Sequence, residues 1–204
     1  MGQFWARIYK TIFFNIKMCK QCSTNPVYEF TNKRKLCKTC FIRWFQKKFF
    51  YTIRKFKMIE RGEIIQFYNK GNFRDAVLED LLKLYSEKGS VEIVKSSGKK
   101  KIDKIALANT SDVESKKIIN AIIKGDVFKL NNGAVEKYGK KLVIKPLYLF
   151  LDKEVLIYAK LRKLKFKINK NKKENKINLF IDDLEKKHPE VKQSVISSYV
   201  KLFG

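Results

Sequence analysis

Apolar positions along the chain change their period several times, and each change marks an element. From Phe41 to Met58 there is no acid, proline or glycine, and Ile42, Phe45, Phe49, Ile53 and Phe56 recur every three or four residues. That spacing predicts one long amphipathic helix with those five side chains on its core face. Short apolar runs bounded by polar or glycine-containing stretches read as strands near Glu63–Tyr68, Val91–Val94, Ile102–Ala108 and Leu142–Lys145. Helical spacing returns at Phe73–Glu87, Asp112–Ile123 and Lys153–Leu164, and a final pair of helices covers about Ile177–Leu202. Strands alternating with helices indicate an α/β domain.

The chain has 204 residues, of which 45% are apolar and 16 are Phe, enough for one core and a small module. What changes the picture is charge. The formal net charge is +26, far beyond what solubility requires, so a polyanionic partner is expected. The cations cluster: residues 1–61 hold fifteen Lys/Arg against two acids, and residues 160–176 hold nine against one. The stretch Gly62–Ile93 between them is nearly balanced. Nucleic acid is the first candidate partner and an anionic membrane surface the second. No run has the length of a membrane span and no secretory signal is legible, so a cytoplasmic protein is expected. Residues 1–18 form a basic amphipathic extension that suits packing, a partner or a membrane surface.

Candidate chemistry begins with cysteine. Cys19, Cys22, Cys37 and Cys40 are the only four, arranged as CKQC, fourteen residues, then CKTC. Each CxxC turns two thiolates toward one point, and two such knuckles complete a tetrahedral site, so a structural zinc ribbon is expected over residues 19–40. An iron–sulfur centre on the same ligands is the alternative reading, and disulfides the third. Lys33, Arg34 and Lys35 should lie exposed at the tip of the ribbon's hairpin. In the basic linking helix, residues 41–61, the cations Arg43, Lys47, Lys48, Arg54, Lys55 and Lys57 occupy much of the surface outside the core face. A solvated helix face normally mixes signs, because like charges at helical neighbour spacing repel. Phosphates would neutralise them, so these residues are read as an RNA platform, together with Arg162, Lys163, Lys165 and Lys167. His188, the single histidine, is read as a helix end.

Together these stretches resemble a known family. MCKQC, CKTCF, the aromatic-basic helix and TIRKFKMIERGE are similar to the N-terminal pattern of the tRNA 2-thiolation sulfurtransferases, in which a zinc ribbon precedes a PP-loop ATPase domain. Downstream, KIDKIALANTSDVESKKIINAIIKGD, IKPLYLFLDKEVLIYAKL and FIDDLEKKHPEVKQSVISSY resemble further segments of that family in the same order. The resemblance covers nearly everything after Lys17. It implies a Rossmann-like, doubly wound domain with a parallel sheet, of the adenine nucleotide alpha hydrolase-like type, reduced here to residues 62–166. Residues 167–204 would be a basic loop and C-terminal helices.

The chain departs from the family at the positions that do chemistry. The family's SGGKDS loop falls on Lys70, Gly71, Asn72, Phe73, Arg74 and Asp75, which keep one position of six. Its GHNxDD segment falls on Ala108, Asn109, Thr110, Ser111, Asp112 and Val113, where only Asp112 survives. The internal cysteines that the family uses for sulfur transfer or a cluster have no counterpart. The degenerate phosphate loop is therefore assigned to Lys70, Gly71, Asn72, Arg74 and Asp112, no catalytic residue is expected, and ATP is not an expected cofactor. The resulting expectation is a non-catalytic, tRNA-binding member of the family, with tRNA or other structured RNA as partner and an intact paralogous subunit as a second. Two alternatives stand beside it: an active ATP-dependent tRNA sulfurtransferase with an altered loop and an external sulfur donor, and a structural zinc protein of a ribonucleoprotein particle.

Overall fold

The computed structural model describes residues 18–89, 91–95, 101–126, 133–139, 141–167 and 176–203. The expected extension over residues 1–18, Met18 apart, lies outside the described residues, as does most of the basic loop over 169–176. The chain divides into two compact units, Met1–Phe45 and Gln46–Gly204.

In the first unit, β1 (Tyr28–Glu29) pairs antiparallel with β2 (Lys35–Leu36), Tyr28 facing Leu36. The turn between them closes through Phe30 N–H to the Arg34 carbonyl at 2.9 Å, with Lys33 in the left-handed region at φ 63°. Two strands of two residues cannot hold themselves together. Edge-to-face contacts of Tyr28 with Phe30 and Phe41, and of Phe30 with Trp44, supply a small aromatic core at centroid distances of 4.7–5.1 Å. Helix α1 (Lys38–Lys55) starts in this unit and continues into the second. Its buried stripe is Phe41, Phe45, Phe49 and Ile53. The expected Ile42 and Phe56 are only half-buried, because the stripe begins one residue earlier and runs at four-residue steps.

The second unit holds a five-stranded sheet in the order β4-β3-β5-β7-β6. The strands are β3 (Ile64–Phe67), β4 (Glu92–Val94), β5 (Lys104–Ala106), β6 (Val135–Tyr138) and β7 (Lys141–Ile144). Four of them run parallel, registered by Ile65 opposite Ile93, Gln66 opposite Ile105 and Ile105 opposite Val143. The edge strand β6 is antiparallel to β7 and was not legible in the sequence, since VEKY has no apolar run or alternation that continues beyond it. Helices are α2 (Phe73–Lys88), α3 (Ser111–Ile123), α4 (Asp152–Leu161), α5 (Lys176–Lys187) and α6 (Val191–Phe203). The crossovers carrying α2 and α3 run in opposite directions from the sheet's centre, so right-handed connections put these helices on opposite faces. In agreement, α4 packs on α2, while α5 and α6 pack on α3. This is the doubly wound α/β class.

Local signals explain the boundaries. Asn72 caps α2 by accepting from the Asp75 N–H at 3.0 Å. Helix α4 ends three residues before the expected Leu164, because Lys163 turns left-handed at φ 55° and Leu164 N–H closes on the Ala159 carbonyl at 2.9 Å. The last two helices separate at His188–Pro189, where His188 N–H still bonds Leu184 at 2.8 Å.

The last helix is pinned by one buried cation. Lys192, 3% exposed, donates to Asp112 at 2.9 Å, Asp182 at 3.3 Å and Glu185 at 2.5 Å. Burial alone would lower its pKa, but Glu185 and Asp112 outweigh it and hold the ammonium above its ordinary value of 10.5. Burial would raise Asp182, and Lys116 and Lys192 reverse that, holding it below its ordinary 3.8. The lysine's contribution is complete below pH 10.5 and fades as pH rises through its raised value. The aspartate's is complete above pH 3.8 and fades as pH falls through its lowered value. Urea midpoints should therefore be level with respect to this cluster between those limits and drop outside them. Lys192→Met should cost about 3 kcal/mol or more, since it leaves Asp112 buried without its cation, with faster hydrogen exchange in α6 as the local signature.

Candidate metal centre and switch-point crevice

The hairpin and the start of α1 bring all four cysteines together. Cys19 and Cys22 lie on a knuckle closed by Ser23 N–H to the Cys19 carbonyl at 3.0 Å, with Ser23 left-handed at φ 54°. Cys37 directly precedes α1, and Cys40 lies in its first turn. The four sulfurs lie within 4.8 Å of one another, with Cys22 to Cys37 at 3.3 Å and Cys40 to Cys22 at 3.6 Å. One ion bonded to four thiolates at about 2.3 Å would space them about 3.8 Å apart, so the residues fit a single tetrahedral metal. The electrostatics agree. The Thr24 hydroxyl and the Cys40 backbone draw Cys37 down to about 6 against the effect of burial. Burial, then hydrogen bonding to Cys22 and Cys37, pushes Cys40 up to about 12. Four thiols this close cannot all ionise without a cation among them.

In the second unit, the sheet reverses its winding between β3 and β5, and the carboxyl ends of those strands are where open α/β sheets hold ligands. The loop expected to be a degenerate phosphate loop lies there, between β3 and α2, and its own side chains pair with one another. The Asp75 carboxylate accepts from the Lys70 N–H at 2.9 Å and from the Asn72 amide at 2.6 Å. Burial raises its pKa, with Lys70 and Arg74 opposing. An acid thus stands where a bound anion would meet backbone N–H groups at a helix N-terminus. Arg74 closes a two-pronged pair on Asp152, one prong at 2.6 Å, and its guanidinium lies 4.9 Å from the Phe73 ring. Phe73 packs edge-on against Phe166 at 6.2 Å, and Lys167 N–H bonds the Gly71 carbonyl at 2.7 Å. Gly71 has φ +84°, the one loop position that needs glycine.

Asp112, the position that matched in the second resembling segment, also has internal partners. One oxygen accepts from Lys192 and the other from the Asp152 N–H at 2.7 Å, at the start of α4. Thr110 donates to Asp152 at 2.7 Å, and Asn109 to Glu114 at 2.6 Å. No sequence signal marked Asp152, Asp75 or Lys192 as partners here, because the contacts join residues up to 80 positions apart.

The cations expected to meet RNA divide into two groups. Lys33, Arg43, Lys47, Arg54, Lys55, Lys57, Lys163, Lys165 and Lys167 are exposed and make no ion pair among the described residues. The others are partly engaged. Arg34, expected to be exposed, lies at the turn over the Phe30 ring at 4.3 Å, and Lys35 pairs at 3.2 Å with Glu29, its register partner on β1. Lys48 pairs with the buried Glu154 at 2.8 Å, and Arg162 with Asp80 at 3.0 Å. Near the C-terminus, Asp183 meets Lys186 and Lys187 at the surface, whereas Asp182 and Glu185 turn inward to Lys192. No helix among the described residues is long and apolar enough to cross a membrane.

No family model matches this chain, and no curated protein matches it. Among solved structures it is similar to the U34-tRNA thiolase NcsA from Methanococcus maripaludis with its [4Fe-4S] cluster. The TM-score is 0.75 at 19% identity, covering 91% of this chain and 86% of that one. Such a likeness establishes the fold: an α/β domain whose five-stranded sheet follows, along the chain, the segment that holds the four cysteines.

Removing the internal carboxylate should reopen the loop. Asp75→Ala should destabilise the protein by about 1 kcal/mol, since it leaves the Lys70 N–H and the Asn72 amide without their acceptor, while raising affinity for inorganic phosphate measured by isothermal titration. Unchanged phosphate affinity in the folded variant would show that the carboxylate does not occupy the anion position.

Proposed function

We propose that this chain is a zinc-containing, RNA-binding protein built on the tRNA-thiolation fold, no longer able to carry out the nucleotide chemistry of that fold. The observation that carries the reading is the loop after β3. Its anion position is taken by Asp75, its arginine is clamped to Asp152, and its aromatic residue is packed on Phe166. A pyrophosphate there would have to displace all three. Sulfur chemistry fares no better, because residues 41–204 contain no cysteine to carry a persulfide or ligate a cluster beside the sheet.

Zinc is favoured over a four-iron cluster by the sulfurs' spacing within 4.8 Å, since a cubane holds its four thiolates outside its iron atoms and so farther apart. RNA is favoured by the +26 charge and by cations left without carboxylates on α1 and after α4. tRNA is the substrate class suggested by the thiolase neighbour. A cytoplasmic location and pairing with an intact paralogous subunit complete the proposal.

Three measurements test it. Metal analysis of the purified protein should find one zinc and no iron per chain, and chelation should unfold residues 19–40. Calorimetry of the zinc-loaded protein with Mg-ATP should show no binding at micromolar nucleotide. Micromolar binding would instead support an active transferase. Affinity for transfer RNA should fall steeply with salt, and an affinity unchanged over a fewfold rise in salt would remove RNA as the partner.

A further inference from the structure

Outside the crevice, the second unit carries one groove whose lining has an uncommon chemistry. It has a volume of about 710 Å³ and lies between the second half of α1 and the end of α2. From α1 it takes Lys47, Phe50, Tyr51 and Arg54, spaced as one helical stripe separate from the buried stripe of that helix. From α2 it takes Tyr85 and Lys88, one turn apart. Phe50 stacks on Tyr85 with centroids 5.8 Å apart and rings 28° from parallel, which fixes the floor. The Lys88 ammonium lies 5.0 Å from the Phe50 ring, and Tyr51 is half-exposed at the mouth. Lys47, Arg54 and Lys88 make no ion pair among the described residues, and no carboxylate lines the groove.

Three unneutralised cations call for an anion, and flat aromatic surface calls for a flat ring. A divalent metal finds no ligand here, and a lipid tail would find little aliphatic surface. The cations stand on both walls, which suits a phosphate chain passing over the groove better than one isolated phosphate. Exposed aromatic rings between backbone-tracking cations form the usual platform for unpaired nucleotides. The volume also lies within the range of small-ligand pockets, about 300–1,000 Å³. We propose that this groove binds an unpaired nucleotide of a bound RNA, with the base stacked on Tyr51 and the flanking phosphates on Lys47, Arg54 and Lys88. The inference rests on the reading of the chain as RNA-binding and adds to it the part of the RNA that the second unit reads.

The test is fluorescence anisotropy on the zinc-loaded full chain, with a ten-nucleotide single-stranded RNA, a duplex of the same length and vesicles containing phosphatidylserine. Tyr51→Ala should weaken single-strand binding about tenfold or more and leave duplex binding within about twofold. Tyr51→Phe should restore it. The double change Lys47→Gln and Arg54→Gln should reduce the salt slope for the single strand by about 1.4. A single strand carrying 4-thiouridine should photocrosslink to α1 in the unaltered chain and not in Tyr51→Ala. Circular dichroism confirms the fold of each variant, and Tyr51 is exposed enough to replace. If RNA binds with the expected salt dependence while Tyr51→Ala binds the single strand as tightly as the parent, the groove proposal fails and the RNA reading stands. If neither RNA binds, both fail. Vesicle binding that is lost in Tyr51→Ala while RNA binding is kept would assign the groove to a membrane surface and overturn the proposal.

Discussion

The second unit is tied together by two aspartates at the carboxyl ends of its parallel strands. Asp152 takes Arg74 from α2 and Thr110 from the start of α3, while its backbone N–H reaches Asp112. Asp112 in turn holds Lys192 of α6. Four helices from both faces of the sheet thus meet in one connected set of charges. Strands of three or four residues offer few ladder bonds, so the helices depend on this junction as well as on apolar packing. Lys145 repeats the device on the other side of α3, buried between Glu114 and Glu136 at 2.8 and 2.9 Å.

The junction occupies the place where an open α/β sheet holds its ligand. A ligand site there must leave backbone N–H groups and cations unpaired in the free protein, which is costly to fold. Here the same groups are paired internally, so the crevice has become part of the fold's support. At the loop after β3 the Asp75 carboxylate accepts from the Lys70 N–H, a contact that a phosphate oxygen could equally make, and Phe73 beside it packs on Phe166.

Much of this was legible in the sequence, for reasons tied to particular residues. The helices over 73–88 and 111–123 announced themselves by apolar spacing, and the four cysteines by their paired spacing. The strand Val135–Tyr138 was not legible, because an edge strand with two polar residues in four carries no periodic signal. The end of α4 was misplaced because a lysine, not a glycine, adopts the left-handed turn. The departure of Asn72, Phe73 and Arg74 from the resembling family's loop could be read in the sequence, but the contacts these residues make could not. Asp75 looked like one more lost serine, and only folding shows its carboxylate turned onto the Lys70 N–H. Likewise Lys48 and Arg162 belonged to basic stretches yet serve Glu154 and Asp80, because pairing depends on which side of a helix faces its neighbour.

The same junction bears on the surface. The chain has 46 basic and 20 acidic residues, so even if every acid paired with one cation, 46 minus 20, or 26, cations would stay without a partner. Burial leaves that imbalance in place, because Asp75, Asp112, Glu114 and Glu154 are buried along with Lys104, Lys145 and Lys192. Self-repulsion among the remaining cations opposes the compact state, and a polyanion that collects them relieves it. The exposed Lys47 and Arg54, on either side of Tyr51 along α1 and without an ion pair among the described residues, belong to that repelling set.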